Sequence, residues 1–416
     1  MLARLLVKAG SLFQGTDATS VINEVSILIV DGEIQAIYPK GEMKETSVDR
    51  EIDARNHFVM PGMVDLHVHL TASGEANYIS RMLESVEYSV LQAQHNATKT
   101  LEAGFTTVRD VGSKNYGVIA LKNAIKNGIT RGPRILAAGK ALTETGGHGD
   151  TPYFFQNIPY SNGRVCDGVD EVRKAVREQI KMGADLIKIH SSGGHGSPQD
   201  DPNQPQFTLE EISNIVSEAH SKNRRVAAHA QSRIGIRNAL EGGVDSIEHA
   251  SDLDEELCRI IKERERIIVP TLIPGMMAVQ HGVKSGISEW SVKKSEASLE
   301  RARRSVKLAY QNNVKIGFGT DAGTPFNFHG INALEFRLLV EHAGMQTSDA
   351  IYSATGLAAE ALGLEGVLGS ISQGKVADIV IVKGNPIDNI SCLEDVGNIK
   401  MVIKDGLIEK NTDARL

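Results

Sequence analysis

Residues 62–69 read Gly62-Met63-Val64-Asp65-Leu66-His67-Val68-His69. They follow an apolar run at residues 58–60 that ends at Pro61, so we interpret the stretch as the end of a buried strand. Side chains two positions apart on a strand point to the same side, which places His67 and His69 together. Two neighbouring imidazoles at a strand end can bind one divalent metal ion. Taken alone, the pair has an equally good structural interpretation, so the rest of the chain decides.

Length and composition predict a folded protein of more than one domain. The chain has 416 residues, of which 41% are hydrophobic and 23% charged, so it can bury a core and is not disordered. Its net charge of −7 comes without a basic block. This argues against nucleic acid and anionic membranes as partners.

Cysteine usage and the N-terminal segment predict a cytoplasmic protein. Cys166, Cys258 and Cys392 lie far apart, which indicates a reducing compartment without disulfides and forms no metal-finger spacing. Residues 1–13 resemble a signal peptide superficially, but Lys8 interrupts their short apolar run. No window approaches the ~20 apolar residues of a membrane span.

The middle of the chain alternates apolar strands with helical patterns. Helices are predicted at residues 169–182, 209–223, 254–264 and 289–313. Strands are predicted at residues 59–67, 106–109, 134–138, 186–189, 225–230, 246–249, 267–271 and 315–320. Eight alternations over this length predict an α/β fold with a (β/α)8 TIM barrel. A doubly wound sheet is the alternative, but no Gly-x-Gly-x-x-Gly follows an early strand.

Both chain ends have a pattern of short strands and turns, unlike the alternating strands and helices between them. Residues 25–30 and 33–37 flank Asp31-Gly32, and residues 401–403 and 407–408 flank Asp405-Gly406; both are hairpin signals. We therefore predict one small β-sandwich domain from residues 1–58 and 365–416, with the barrel at residues 59–364.

Further polar residues follow other barrel strands, where barrel enzymes carry their chemistry. Lys188 lies inside the apolar fourth strand, His229 and His249 end the fifth and sixth, and Asp321 ends the eighth. Each has a structural alternative: Asp321 as a helix N-cap, Lys188 as a buried ion pair. Together with His67 and His69 they predict a metal centre. Glu248 precedes His249, so we expect it to face the other side in a structural role.

Several motifs carry a family resemblance that covers nearly the whole chain. The sequence resembles the amidohydrolase superfamily, and within it the imidazolonepropionase-related branch of metallo-dipeptidases and carboxypeptidases, including Xaa-Pro dipeptidases. The motifs are Pro61-Gly62-Met63-Val64-Asp65-Leu66-His67-Val68-His69, Thr106-Thr107-Val108-Arg109-Asp110, Thr145-Gly146-Gly147-His148, Gly319-Thr320-Asp321 and Gly374-Lys375-Val376-Ala377-Asp378.

The resemblance implies two divalent metal ions. In members with two metals, the first ion resembles a site made by His67, His69 and Asp321, and the second would take His229 and His249. Zinc is our first choice for imidazole and carboxylate ligands, although ligand type does not settle the metal.

The resemblance also implies that Lys188 is carboxylated by CO2 and bridges both ions. Burial depresses the pKa of a lysine, and a neutral amine can capture CO2. A bridging hydroxide would then attack the scissile carbonyl. Asp321 would pass its proton to the leaving amine, and His148 would hydrogen-bond the tetrahedral oxyanion.

Within this branch many members release the C-terminal residue of a dipeptide or of an acylated amino acid. The loop after strand seven contains Met276 and Met277 and no acid, which suits an apolar residue, proline first. Proline-directed members usually grip the substrate carboxylate with a tyrosine where this chain has Gln231. We expect Gln231, Arg233 and His148 to bind that carboxylate instead.

Other functions stay open at this point. An amidohydrolase acting on N-acylated aromatic residues, like ochratoxinase, is the close rival, and a cyclic-amide hydrolase or deaminase of the same superfamily is a further alternative. A non-enzymatic scaffold would normally have lost metal ligands, and none is lost here. The roles of His190 and His195 stay open, and we expect a homo-oligomer.

Overall fold

The computed structural model of the protein describes residues 4–43, 47–77, 84–150 and 162–416. Within these ranges the strands fall into a sheet built from both chain ends and a ring of parallel strands. The strands are β1 (Leu5–Phe13), β2 (Val21–Val30), β3 (Glu33–Pro39), β4 (Arg50–Pro61), β5 (Met63–Val68), β6 (Phe105–Asp110), β7 (Arg134–Ala137), β8 (Leu142–Thr143), β9 (Arg164–Val165), β10 (Leu186–His190), β11 (Arg225–Ala230), β12 (Ser246–His249), β13 (Ile267–Val269), β14 (Lys315–Ile316), β15 (Ile379–Val382), β16 (Ile399–Lys404) and β17 (Leu407–Asn411).

Helices of the same ranges cover the ring of parallel strands. They are α1 (Val86–Glu102), α2 (Gly117–Lys126), α3 (Gly168–Lys181), α4 (Leu209–His220), α5 (Arg233–Gly242), α6 (Glu255–Glu263), α7 (Ile273–His281), α8 (Glu289–Gln311), α9 (Leu334–Leu338), α10 (Thr347–Ser353) and α11 (Gly356–Leu362). A π-helical turn spans Leu339–Ala343, and 3-10 turns span Val283–Ser285, Ile390–Leu393 and Val396–Asn398. The four predicted helices are confirmed as α3, α4, α6 and α8. Among the described residues, no helix has the length and apolar character needed to cross a bilayer.

Eight of the described strands close into a parallel barrel. Strands β5, β6 and β7 pair in parallel, as do β10 to β14. Between the two sets of strands, the Asp185 amide donates to the Ala137 carbonyl at 2.8 Å. At the other junction, the Asp321 amide donates to the His67 carbonyl at 2.7 Å. These bonds complete the ring. The predicted (β/α)8 barrel with a small β-sandwich domain is confirmed, and the doubly wound sheet is not.

The first barrel strand begins later than predicted. Val59 pairs with Ile381 as part of β4, in the sheet of the chain ends, and the barrel strand starts only at Met63. Gly62 separates the two strands, and a Cβ placed on it would lie 2.2 Å from the Thr106 hydroxyl oxygen. The apolar run therefore contributes first to the sheet of the chain ends and then to the barrel, and its hydrophobicity alone does not show where one strand ends and the next begins.

The second sheet joins both ends of the chain. Its order is β17-β16-β15-β4-β1-β2-β3, and β4 runs parallel to β1 and antiparallel to β15. The predicted hairpins are confirmed, with left-handed φ at Asp31 (50°), Gly32 (87°), Asp405 (51°) and Gly406 (75°), as primed turns require. The two turns touch: a Cβ on Gly406 would lie 2.5 Å from Gly32 Cα. The domain boundaries at residues 58/59 and 364/365 stay a prediction.

A half-buried arginine joins the barrel to the sheet of the chain ends. Arg134, at the start of β7, donates from Nη1 to Asp378 at 2.7 Å and to the Thr107 hydroxyl at 2.9 Å, and it also pairs with Asp405. The Asp378 side chain is only 5% exposed. Burial lowers the pKa of Arg134, but the two carboxylates outweigh it and raise the pKa.

We expect Arg134→Met to destabilise the protein by about 3 kcal/mol, because it leaves the Asp378 carboxylate buried without its partner. Arg131→Met is the matched control: Arg131 also pairs with the same sheet, through Glu409, but is 58% exposed, and such a pair contributes at most about 1 kcal/mol. Urea denaturation of both variants gives the comparison. Equal losses would contradict the role of Arg134.

Candidate active site

A cavity opens at the carboxyl ends of the barrel strands. Its volume is about 300 Å³, a size that suits a small organic ligand. All six predicted metal ligands line it: His67, His69, Lys188, His229, His249 and Asp321. The chain therefore brings these residues together from five different strands, as a barrel enzyme requires.

Three of the six ligands form a compact group. One ligand atom from each of His67, His69 and Asp321 lies within 4.8 Å of the other two. Asp321 Oδ1 is 3.2 Å from His69 Nε2 and 3.6 Å from His67 Nε2. On the other side of His67 lies the His249 ring, with centroids 4.8 Å apart, and the His229 ring follows 4.6 Å beyond.

Each imidazole is oriented by a partner on the ring nitrogen that points away from the cavity centre. His67 Nδ1 is 2.8 Å from Glu248 Oε2, and His249 Nδ1 is 2.7 Å from the Thr271 hydroxyl. His69 Nδ1 is 2.7 Å from the carbonyl of residue 112. Their Nε2 atoms thus remain for a ligand, which is the usual arrangement of metal-binding histidines. His229 uses Nε2, 3.0 Å from the carbonyl of residue 193, and keeps Nδ1.

Burial keeps most of these imidazoles neutral. It lowers the pKa of His67 and His229 well below the usual value, with the charges of Lys188 and of nearby histidines adding to the effect. Burial likewise lowers the pKa of His249 to about 3. Burial also acts on His69, but the adjacent Asp321 outweighs it and raises the pKa. Neutral imidazole is the form that binds metal.

Lys188 is a buried amine without a partner. It is 2% exposed, and in the described ranges it makes no hydrogen bond or salt bridge. Burial lowers its pKa to about 8, although the carboxylates of Glu248 and Asp321 oppose the shift. About a tenth of the amine is then neutral at pH 7, far more than for an ordinary lysine, and the neutral form is the one that captures CO2.

The carboxylate of Asp321 faces the same cavity as Lys188. Its Oδ1 is buried, and its contacts among the described residues are His69 Nε2 at 3.2 Å and His67 Nε2 at 3.6 Å, so it has no donor when His69 carries its proton on Nδ1. Burial alone would raise the carboxyl pKa, but the ring nitrogens of His69 and His67 lower it below the usual value. The buried Asp321 oxygen, the ring nitrogens that face it and the unpaired lysine amine fit the binding of divalent metal.

Glu248 lies inside the barrel, which corrects the expectation that it faces away from the site. It is fully buried and accepts from His67, from Arg109 Nη2 at 2.7 Å and from Ser246 Oγ at 2.6 Å. Glu248 and His249 both contact His67 because His249 has a left-handed φ of 68°. This breaks the alternation of the strand, so two consecutive side chains face the same region.

His148 stacks on His229 with ring centroids 4.4 Å apart and pairs through Nδ1 with Asp200. Asp200 also accepts from the amide of residue 194 at 2.8 Å and from Gln206 at 3.0 Å. His190 lies beside them, with its Nδ1 3.2 Å from the Leu142 carbonyl. The buried Asp200 thus orients His148 toward the cavity.

The predicted substrate-contacting residues divide into two groups. Gln231 lines the cavity, and its Oε1 is buried without a partner among the described residues. Arg233 lies outside the cavity lining, at the start of α5, where it pairs with Asp252 and Asp254 and is 53% exposed. Met276 and Met277 also lie outside it, because α7 directs Met277 into the hydrophobic core and the partly buried Met276 against that core. Their neighbours in α7 line the cavity instead: Pro274, Gly275 and Ala278.

Sequence reasoning missed the residues that support the ligands. Arg109, Glu248 and Asp200 carry no metal-binding signal of their own, and the bonds Glu248–His67, Arg109–Glu248 and Asp200–His148 span 52 to 181 positions. Asp65 was quoted only as part of a motif, although its carboxylate accepts from the His67 amide at 3.0 Å. The signal that could have revealed the strand residues among them is a charged side chain inside an apolar strand, the same signal that revealed Lys188.

The comparisons with known proteins all point to one family. The profile of the Amidohydrolase family matches residues 58–408. Ochratoxinase of Aspergillus niger is 32% identical over 428 aligned residues, which cover 97% of this chain and 86% of ochratoxinase. A crystal structure of a Xaa-Pro dipeptidase with bound methionine in the active site superposes with a TM-score of 0.90 and 38% identity, over 98% of this chain and 99% of that chain. A crystal structure of a prolidase complexed with N-methylphosphonate-L-proline superposes with a TM-score of 0.90 and 32% identity, over 98% of this chain and 100% of that chain.

We expect Glu248→Gln to weaken metal binding by about 10–100-fold, the range found when the partner of a metal-binding histidine is removed. Arg109, Ser246 and His67 all donate to the carboxylate, so the amide group of glutamine must face one of these donors. Competition with a chelator measures the affinity. Glu263→Gln, an exposed partner of Arg259, serves as the control, and an unchanged affinity in Glu248→Gln would refute the role.

Proposed function

The chain belongs to the amidohydrolase family, and from this premise we propose that it cleaves the amide bond before an apolar C-terminal residue, as a Xaa-Pro dipeptidase or a similar carboxypeptidase. That it is a hydrolytic enzyme follows from the family itself. The observation that carries the finer proposal is a set of six metal-ligating side chains beside an uncharged cavity wall.

Two divalent cations would be held by this set, with His67, His69 and Asp321 around one and His229 and His249 around the other. Lys188 would join the two as a carbamate: its amine nitrogen bonds to the carbon of CO2 and loses a proton. When bound, such cations polarise the scissile carbonyl and activate water near neutral pH.

Asp321 is our candidate for the proton carrier. Its unsatisfied Oδ1 faces the cavity, so the carboxylate can accept a proton from the attacking water and deliver it to the leaving amine. His148, oriented by Asp200 through Nδ1, directs Nε2 toward the cavity. With a proton on both ring nitrogens, it can donate from Nε2 to the anionic oxygen that forms at the carbonyl.

The free carboxylate of the substrate needs donors close to the metals. Gln231 lines the cavity, and its side-chain amide nitrogen can donate to a carboxylate, whereas its oxygen can only accept. Because Arg233 is engaged by Asp252 and Asp254, we assign carboxylate binding to Gln231 and His148.

The released residue would rest on an apolar wall, which we name the α7 wall. It consists of Leu272, Pro274, Gly275, Ala278 and Ile287. It contains no acid, and burying an unpaired arginine or lysine there would cost several kcal/mol. An uncharged C-terminal residue therefore suits this wall.

A second candidate is hydrolysis of an N-acylated aromatic residue. The 32% identity to ochratoxinase over 97% of the chain favours it, and the α7 wall does not discriminate between a proline ring and a phenyl ring. The choice between these candidates depends on kinetics.

We expect wild-type enzyme to bind two metal ions per chain and Lys188→Ala to bind about one, with a loss of kcat/KM of at least about 100-fold, at the upper end for removal of a ligand-supporting group. Elemental analysis measures the metal content. Lys181→Ala, an exposed lysine that ends α3, is the control. Partial recovery of activity by a short-chain carboxylic acid would support the bridge, whereas two retained metals would argue against it.

The proposed activity is tested by kcat/KM for Ala-Pro, Ala-Leu, Ala-Phe and Ala-Arg under one metal condition. We expect Ala-Pro to rank first and Ala-Arg to fall at least about 100-fold behind, because the α7 wall offers no partner for the guanidinium. Ala-Phe ranking first would favour the ochratoxinase-like alternative. Ala-Arg ranking first would overturn the proposal for the α7 wall.

A further inference from the structure

Beside the α7 wall, where a Cβ on Gly275 would lie 3.3 Å from Leu299 Cδ1, the cavity has a second wall rich in hydroxyl groups, which we name the serine wall. It is formed by His195, Ser197, Ser291, Ser295, Ser298 and Leu299. The three serines of α8 stand at positions i, i+4 and i+7, on one face of the helix. His195 and Ser197 come from the loop that follows β10.

The hydrogen bonds of the serine wall define one tautomer of His195. Ser298 Oγ donates its single proton to the Lys294 carbonyl at 2.8 Å, so it must accept from His195 Nε2 at 3.2 Å. His195 Nδ1 then accepts from Ser295 Oγ at 3.3 Å. Burial lowers the pKa of His195 to about 4, so the ring is neutral at pH 7.

Ser197 lacks a partner. The residue is 4% exposed, and its hydroxyl has no hydrogen-bond partner among the described residues. A buried hydroxyl without a partner is costly, and it gains a bond as soon as a ligand group approaches. The hydroxyl oxygens of Ser295 and Ser298 retain lone pairs that can accept from the same ligand.

Two charges lie behind the serine wall, and both are already engaged. Lys294 Nζ donates to the Ser197 carbonyl at 2.6 Å and also contacts the Asp200 carbonyl. The Asp200 carboxylate is taken by His148, Gln206 and a backbone amide. Neither charge is free for a ligand, so the wall offers neutral donors and acceptors only.

We propose that the serine wall is the subsite for the acyl half of the substrate, and that it selects an uncharged hydrogen-bonding group such as a carboxamide. This rests on the proposed function, in which the α7 wall takes the released residue. A carboxamide oxygen accepts from Ser197, and its amide group donates to Ser295 or Ser298. A carboxylate or an ammonium group finds no free counter-charge there.

The test compares Gln-Pro, Leu-Pro, Glu-Pro and Lys-Pro, or the same four with whichever C-terminal residue ranks first. We expect kcat/KM for the glutamine substrate to exceed that for the leucine substrate about fivefold, the equivalent of one net hydrogen bond. The two charged substrates should fall at least about 100-fold below. A leucine substrate that equals or exceeds the glutamine one in wild-type enzyme would overturn the subsite.

Ser197→Ala should bring the glutamine-to-leucine ratio close to one, because the hydroxyl bond that distinguishes the two substrates is lost. Its melting temperature should not fall, since the hydroxyl has no partner to lose. His195→Val gives a second variant: it removes the ring that orients the Ser295 and Ser298 hydroxyls, so the same ratio should fall as these acceptors lose their fixed positions. Ser213→Ala, at an exposed serine of α4, is the control.

Failure of the acyl subsite and failure of the proposed function would give different results. If Ser197→Ala lowers all four substrates by the same factor, the subsite is refuted while the proposed function stands. If no dipeptide releases its C-terminal residue from metal-loaded enzyme, the proposed function itself is refuted.

Discussion

Closure of the barrel at the seam between β5 and β14 is the constraint on which the site depends. Asp65 holds that seam: its carboxylate accepts from the amides of His67 and Thr320, from the Thr320 hydroxyl and from Asn332 Nδ2 at 2.7 Å. Burial raises the pKa of Asp65 to about 6, although these four bonds oppose the shift. The same seam places Asp321 beside the two histidines of β5, so one buried carboxylate both closes the ring and assembles the first group of ligands.

Below the ligands the barrel carries a layer of buried charge. Arg109 and Glu248 form an ion pair of 2.7 Å with almost no exposure, and Arg109 Nε also donates to the Leu66 carbonyl at 2.6 Å. Such a pair is costly to bury and is retained where its geometry is satisfied throughout. Here Glu248 additionally orients His67. The layer therefore gives the metal site a rigid base, while burial favours the neutral form of His67, His229 and His249 above it.

Much of the architecture could be predicted from the sequence, because it rests on local signals. The Asp-Gly turns, the alternation of strands and helices, and the polar residues at strand ends each occupy a few neighbouring positions. Asp200 and Glu248 escaped prediction because their function lies in partners brought close only by the fold. Met276 and Met277 were misplaced for a related reason: loop composition indicates an apolar wall but not which turn of α7 faces the cavity.

Periodicity fails at the positions where the chemistry is concentrated. His249 and Asp321 have φ values of 68° and 56°, in the left-handed region that costs a non-glycine residue free energy. This conformation changes the direction of the last side chain of the strand. That side chain then faces the inside of the barrel together with the side chain before it. Glu248 and His249 both reach His67 in this way. A strand of strict alternation would supply only every second residue, so the strained ends increase the number of functional groups that eight short strands can direct at one point.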